Sequence, residues 1–303
     1  MPGNELPEGQ PLVPGHHGDG MSGRDSWEVP AGPRAWAGDS QIVRRHFVAV
    51  ATASYDDPEY PDLPGVAGEV AGLRAWLCDT TRLGGRAFVT APRFRPLAED
   101  PPRTVVEETL RDPGLPWTSA DAAVVFVTGH GERADGTHWL VLGGTDRRRL
   151  RSTGVRTSDL LGWLMDTGIR HLLLIVDACF AAATMADVAR FDADLPAGWL
   201  VLPSAMKNQI AMTGALSAAI AKAVEKLASG QGEKYGLAAP YFTVEQFLST
   251  VDEFLGEGQR VTPLHGSQIT GPHPCLPNPH LAEPCGGPDS TWAARARPPQ
   301  AGP

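Results

Sequence analysis

No stretch of this sequence approaches the roughly 18 consecutive apolar residues that a membrane-spanning helix needs. The richest run, residues 172–176, is cut short by Asp177. The opening residues, MPGNELPEGQ, have no positive segment leading into an apolar one, so no secretory signal is expected. Phosphate-cradling loops are missing too. Neither Gly-x-x-x-x-Gly-Lys-Ser/Thr nor Gly-x-Gly-x-x-Gly follows a strand pattern, which argues against a nucleotide-binding α/β protein. The Gly-x-Ser-x-Gly elbow of the α/β-hydrolases is absent. The net charge of −9 is spread along the chain and leaves no basic footprint, so no nucleic-acid partner is expected. Cysteine is scarce: Cys78, Cys179, Cys275 and Cys285 lack the close spacing of a metal site. A reducing, cytoplasmic compartment is the expectation, with a Cys275–Cys285 disulfide as the disfavoured alternative. There is no internal repeat and no coiled-coil heptad.

What the sequence does have is ordinary globular composition, 42% hydrophobic and 20% charged. Its 28 prolines and 34 glycines are concentrated at the ends. Residues 1–41 and 271–303 read as disordered, because such segments bury too little apolar surface to offset the entropy of ordering them. One folded domain is expected over 42–270. Within it, strand patterns at 45–54, 86–90, 122–128, 137–142, 171–176 and 199–203 alternate with helix patterns at 65–78, 102–110, 157–165, 213–228 and 244–255. In the first helix, Val66, Val70, Leu73 and Leu77 recur at helical spacing. Thr157 or Ser158 is the expected cap of the third. Alternation of this kind predicts βαβ units and a mostly parallel sheet between helices. The apolar runs at 123–127 and 172–176 fit strands covered on both faces.

Two strands end in residues that carry chemistry. One reads VFVTGHGE and ends at His130; the other reads LLLIVDACF and ends at Asp177 and Cys179. Parallel sheets bind ligands beyond the carboxyl ends of their strands. His130 and Cys179 are therefore expected at one functional edge. A thiol beside an imidazole is a nucleophile with its base. The backbone N–H groups of Gly131 and Cys179 are candidates for binding an oxyanion. Each residue alone has a plainer reading, Cys179 as an inert buried thiol and His130 as a loop histidine. Their shared placement at the ends of separate strands is the more specific signal.

With TGHGE at 128–132 and DACF at 177–180, the sequence resembles the caspase-like cysteine peptidases, the clan of caspases, metacaspases and bacterial relatives. The histidine lies 49 residues upstream of the cysteine, close to the spacing of about 50 known for caspases. Weaker similarity covers LPGVAGEVAGLRAWL at 63–77, ADGTHWLVLGGTD at 134–146 and LPSAMKNQIA at 202–211. The resemblance spans about residues 42–270. It implies an α/β/α three-layer sandwich around a sheet of about six strands. It also implies peptide-bond cleavage by Cys179 with His130 as acid and base. Asp177, two residues before the cysteine, matches the acidic residue that binds a basic P1 side chain in metacaspase-like enzymes, and Ser204 lies at the matching end of a later strand. Cleavage after Arg or Lys follows by charge-assisted pairing; a helix N-cap is the plainer reading of Asp177. Arg190 is the expected self-cleavage position. The sequence departs from the family pattern at Phe180-Ala181-Ala182 and at Gly68-Glu69.

No cofactor or metal is expected, and no residue pattern indicates calcium activation. The expected partners are a protein or peptide substrate and a separate regulatory or effector protein, without a membrane. The alternative function is a catalytically weak caspase-fold interaction module in a signalling or defence assembly. Residues 147–151, RRRLR, read as a solvated loop or a processing site. His138, His171 and His265 read as packing or surface histidines, and Trp139 and Trp163 as core.

Overall fold

The computed structural model describes residues 42–112, 114–115, 117–184, 188–189, 195–204, 214–229, 239–255, 264–265 and 271–280. Its centre is a sheet built from β1 (Arg44–Ala51), β2 (Asp121–Thr128), β6 (His171–Asp177) and β7 (Gly198–Pro203), all parallel and in that spatial order. A short strand, β9 (Leu264–His265), adds antiparallel to β7. Among the described residues the sheet therefore has four parallel strands and one short antiparallel one, rather than the about six expected. The 86–90 segment contributes only a single bridge. Phe47 N–H donates to Val89 O and Val89 N–H to Arg45 O, both at 3.0 Å. The preceding residues coil into a short turn, Gly84–Arg86, and Arg86 turns inward to the Pro240 and Asn278 carbonyls, so no ladder develops.

The strand side chains alternate between two separate cores, as a period of two requires. Val124, Phe126, Leu173, Ile175, Leu200 and Leu202 face α1 (Val66–Leu77), α4 (Ala215–Ala228) and α5 (Val244–Phe254). Ala123, Val125, Val127, Leu172, Leu174 and Val201 face α2 (Arg103–Arg111) and α3 (Thr157–Asp166). This is the three-layer α/β/α sandwich that the resemblance implies, and the parallel sheet that the alternation predicts. All four apolar positions read from the first helix are buried. Helix α5 is closed by a capping box between Thr243 and Gln246. Neither expected cap of α3 serves as one: the cap position is Arg156, without a side-chain bond. Thr157 spends its hydroxyl elsewhere, as described below.

Beside the main sheet, β3 (Gly131–Ala134), β4 (Thr137–Leu140) and β5 (Val155–Arg156) form a small antiparallel sheet next to the carboxyl end of β2. The folded part also runs past residue 270. Strand β10 (Pro272–Pro277) pairs antiparallel with β8 (Tyr241–Thr243), and its His273, Cys275 and Leu276 are buried. Its prolines imitate a linker in composition, yet a two-stranded ribbon with an irregular register tolerates residues that lack a donor. His273 replaces part of the missing ladder: Nδ1 accepts from Cys275 N–H at 3.1 Å and Nε2 donates to Gly198 O at 3.0 Å. Cys275 is a free thiol; Cys285 lies outside the described residues. No helix among the described residues is long and apolar enough to cross a membrane.

Candidate active site

The parallel register decides which loops meet. Thr128 and Asp177 are partners on the last rung between β2 and β6. His130 and Cys179 each stand two residues beyond that rung, on adjacent strands. Gly129 turns the chain there with φ +145° and donates its N–H to Asp177 O at 3.4 Å. A Cβ on Gly129 would lie 2.8 Å from the Tyr55 hydroxyl. Gly131 packs directly on the Cys179 backbone: a Cβ there would sit 2.3 Å from Cys179 O. Real Cβ atoms do not approach that closely, so glycine is required for the two segments to touch.

His130 is held by the loop after β1. Its Nε2 lies 2.8 Å from the Pro61 carbonyl oxygen, which can only accept. The neutral ring therefore carries its proton on Nε2 and keeps a lone pair on Nδ1. The rings of Tyr55 and Tyr60 flank the imidazole, with centroids at 4.8 Å and 5.7 Å. His130 N–H donates to the Tyr55 hydroxyl at 2.9 Å, which in turn donates to Thr52 O at 2.9 Å. Burial raises the Tyr55 pKa, and the charges of Asp100, Asp62 and Cys179 add to the shift, so it stays a phenol. The same loop is tied to the small sheet. Tyr60 donates to Glu132 at 3.3 Å, while Arg147 pairs with Glu132 at 3.1 Å and with Glu59 at 2.6 Å. Arg147 N–H also donates to Asp57 at 2.8 Å. The first arginine of the 147–151 run is thus a clasp on the loop that holds His130.

Asp177 and Ser204 end the neighbouring strands β6 and β7, and Ser204 N–H continues the ladder to Val176 O at 2.9 Å. Asp177 is 4% exposed. Burial pushes its pKa up to about 7, and the nearby charge of Glu69 adds to this; the Ser204 hydroxyl and Ser217 backbone oppose it. Glu69, on the buried face of α1, accepts from the Thr128 hydroxyl at 2.6 Å. Its pKa is also raised by burial. Its second oxygen is buried with no hydrogen-bond partner. Gly214, at φ +77°, brings the start of α4 within reach: a Cβ there would lie 3.3 Å from Glu69 Oε1. Asp177 and Glu69 are thus two buried carboxyls, each held towards its neutral form by burial. Asp177 does not cap a helix; the turn that follows, Ala181–Ala183, is preceded by Phe180.

Of the residues singled out from the sequence, His130, Gly131, Asp177, Cys179 and Ser204 gather at the carboxyl edge of the sheet. Arg190 lies outside the described residues. Among the described residues no group of three or more His, Cys, Asp or Glu side chains could hold a metal ion. Glu69 stood out in the sequence only as a departure from a family pattern. Tyr55, Tyr60 and Pro61 carry no motif. His138 is not a plain packing histidine. It is fully buried, with Nδ1 2.6 Å from the Thr157 hydroxyl and Nε2 3.0 Å from Cys179 O.

No family model matches the chain. No curated protein matches it. Among solved structures, the chain is similar to a protein from Geobacter sulfurreducens, with a TM-score of 0.51 at 11% identity over 77% of this chain and 99% of that one. It also matches pro-sf-caspase-1 with a TM-score of 0.41 at 12% identity, over 72% of this chain and 90% of that one. At these identities, the Geobacter likeness bears on the fold alone.

Proposed function

We propose that this protein is a cysteine endopeptidase that cleaves after Arg or Lys, with Cys179 as nucleophile and His130 as general acid and base. The observation that carries the reading is the shared rung. Thr128 and Asp177 pair across β2 and β6, so His130 and Cys179 leave adjacent strands at the same height, with Gly131 against the cysteine backbone. The Pro61 carbonyl occupies Nε2 of His130. That leaves Nδ1 to take the thiol proton, and an imidazolium beside a thiolate activates the nucleophile.

In this mechanism the Cys179 sulfur attacks the scissile carbonyl, and the proton held on His130 passes to the leaving amine. Water, deprotonated by His130, then hydrolyses the thioester. The amides of Gly131 and Cys179 would bind the oxyanion. A basic P1 side chain would be received by Asp177, with Glu69 and Ser204 beside it. An arginine or lysine there supplies the counter-charge that the two carboxyls lack, which favours their ionised forms.

Fluorogenic peptides ending in Arg, Lys or Asp test the reading. The expected result is release from the Arg and Lys peptides, lost in both Cys179→Ala and His130→Ala. Cleavage after Asp would overturn the specificity. Absence of all cleavage would favour an interaction module built on the same fold.

A further inference from the structure

We propose that His138 is a positioning residue for Cys179: its Nε2–H pins the Cys179 carbonyl and holds the strained turn that sets where the sulfur and the amide lie. This rests on the reading of Cys179 as the nucleophile.

The bond has one available polarity. A carbonyl oxygen only accepts, so Nε2 of His138 carries the proton at 3.0 Å from Cys179 O. Nδ1 then accepts from the Thr157 hydroxyl at 2.6 Å. Burial keeps the His138 pKa down to about 4, so the ring is neutral near pH 7 and carries no proton for the reaction. The carbonyl it holds begins the peptide unit joining Cys179 to Phe180. Phe180 adopts φ 59°, ψ 15°, in the left-handed region. The other non-glycine residues of positive φ among those described are Asp100 and Asp135, a type that tolerates this conformation. For a bulky residue this conformation is strained and persists only when its surroundings enforce it. A buried hydrogen bond on the preceding carbonyl restrains the rotation that would relax it.

The neighbouring glycine belongs to the same device. A Cβ on Gly131 would stand 2.6 Å from His138 Nε2 as well as 2.3 Å from Cys179 O. Glycine at 131 thus keeps open the space in which the histidine reaches the carbonyl. Thr157, in the first turn of α3, holds the ring from behind through Nδ1. The chain Thr157–His138–Cys179 connects the helix layer to the site without touching the sulfur.

Three substitutions separate positioning from packing. His138→Leu removes the donor, His138→Gln keeps an N–H at similar reach, and Thr157→Val removes only the hydroxyl that bonds Nδ1. The readouts are kcat and KM on an Arg peptide, the alkylation rate of Cys179 by iodoacetamide followed by mass spectrometry, and the melting temperature. His138→Leu is expected to lower kcat by about 30-fold or more with KM within about twofold, since small displacements of reacting groups are costly. Alkylation should slow by about tenfold, and His138→Gln should recover most of both losses. Thr157→Val should lower kcat by roughly 3–10-fold in a folded protein. A folded His138→Leu with unchanged kcat and alkylation, or a Gln variant no better than Leu, overturns the proposal. If His138→Leu does not fold, an unchanged Thr157→Val overturns it instead. If the wild type cleaves no peptide, the endopeptidase reading fails separately, and the alkylation series alone decides the role of His138.

Discussion

Asp177 shows how a single residue can be placed against stability. Burial and Glu69 raise its pKa to about 7, whereas an unfolded aspartate titrates near 3.9. The folded protein therefore holds this proton more tightly than the unfolded chain. The stability linked to it is present at low pH and is lost as pH rises from about 4 to about 7. Asp177→Asn removes the buried charge. At pH 8 it should raise the melting temperature by roughly 3–8 °C, with about a third of that rise at pH 5 and little at pH 4. The same substitution should lower cleavage after Arg by about 100-fold or more, as loss of a buried charge pair implies. A variant less stable than wild type at pH 8 would contradict the buried-carboxyl reading. Residues at this scale were partly legible in the sequence. His130, Asp177 and Cys179 were visible at the ends of apolar strands, and Ser204 only through the family resemblance. Glu69 and His138 were not, because each acts from another layer and becomes a neighbour only through packing.

At the scale of elements, the loop after β1 and the strand β10 carry the two features that composition hid. The loop holds His130 through Pro61, Tyr55 and Tyr60, and Arg147 ties it to Glu132 and Glu59. Exposed ion pairs contribute little singly, and backbone bonds such as Leu63 N–H to Ala53 O at 2.7 Å anchor the loop as well. Arg147→Met should therefore cost only about 3–5-fold in kcat, comparable to weak surface pairs. It should also speed amide hydrogen exchange in residues 55–62. Unchanged exchange there would dismiss the clasp. Strand β10 allows a sharper test. A chain ending at residue 280 should melt within about 2 °C of the full-length protein, whereas one ending at residue 270 should lose about 10 °C or fail to fold. The second truncation strips Cys275 and Leu276 from the α1/α4/α5 core and His273 from Gly198. Equal melting of the two would mean that β10 is dispensable. Proline content made this strand read as tail; its burial against residues distant in sequence, among them Gly198 and Ala123, marks it as core.

For the whole molecule, the alternation of strand and helix patterns was enough to predict a mostly parallel sheet with strands covered on both faces, and the family resemblance added the three layers. The extent of the sheet was not legible. Strand count depends on whether an edge segment finds a continuous ladder, and at 86–90 the inward turn of Arg86 prevents it. What the sheet supplies to function is height: four parallel strands present their carboxyl ends together, and the β2–β6 register sets His130 level with Cys179. The most direct measurement is covalent trapping. A peptidyl acyloxymethyl ketone ending in Arg is incubated with the full chain, and the adduct is located by peptide mass spectrometry. The expected result is one adduct on the Cys179 sulfur, greatly slowed in His130→Ala and not formed by the matching Asp reagent. Labelling of Cys78 instead, or equal labelling with and without His130, would contradict the dyad.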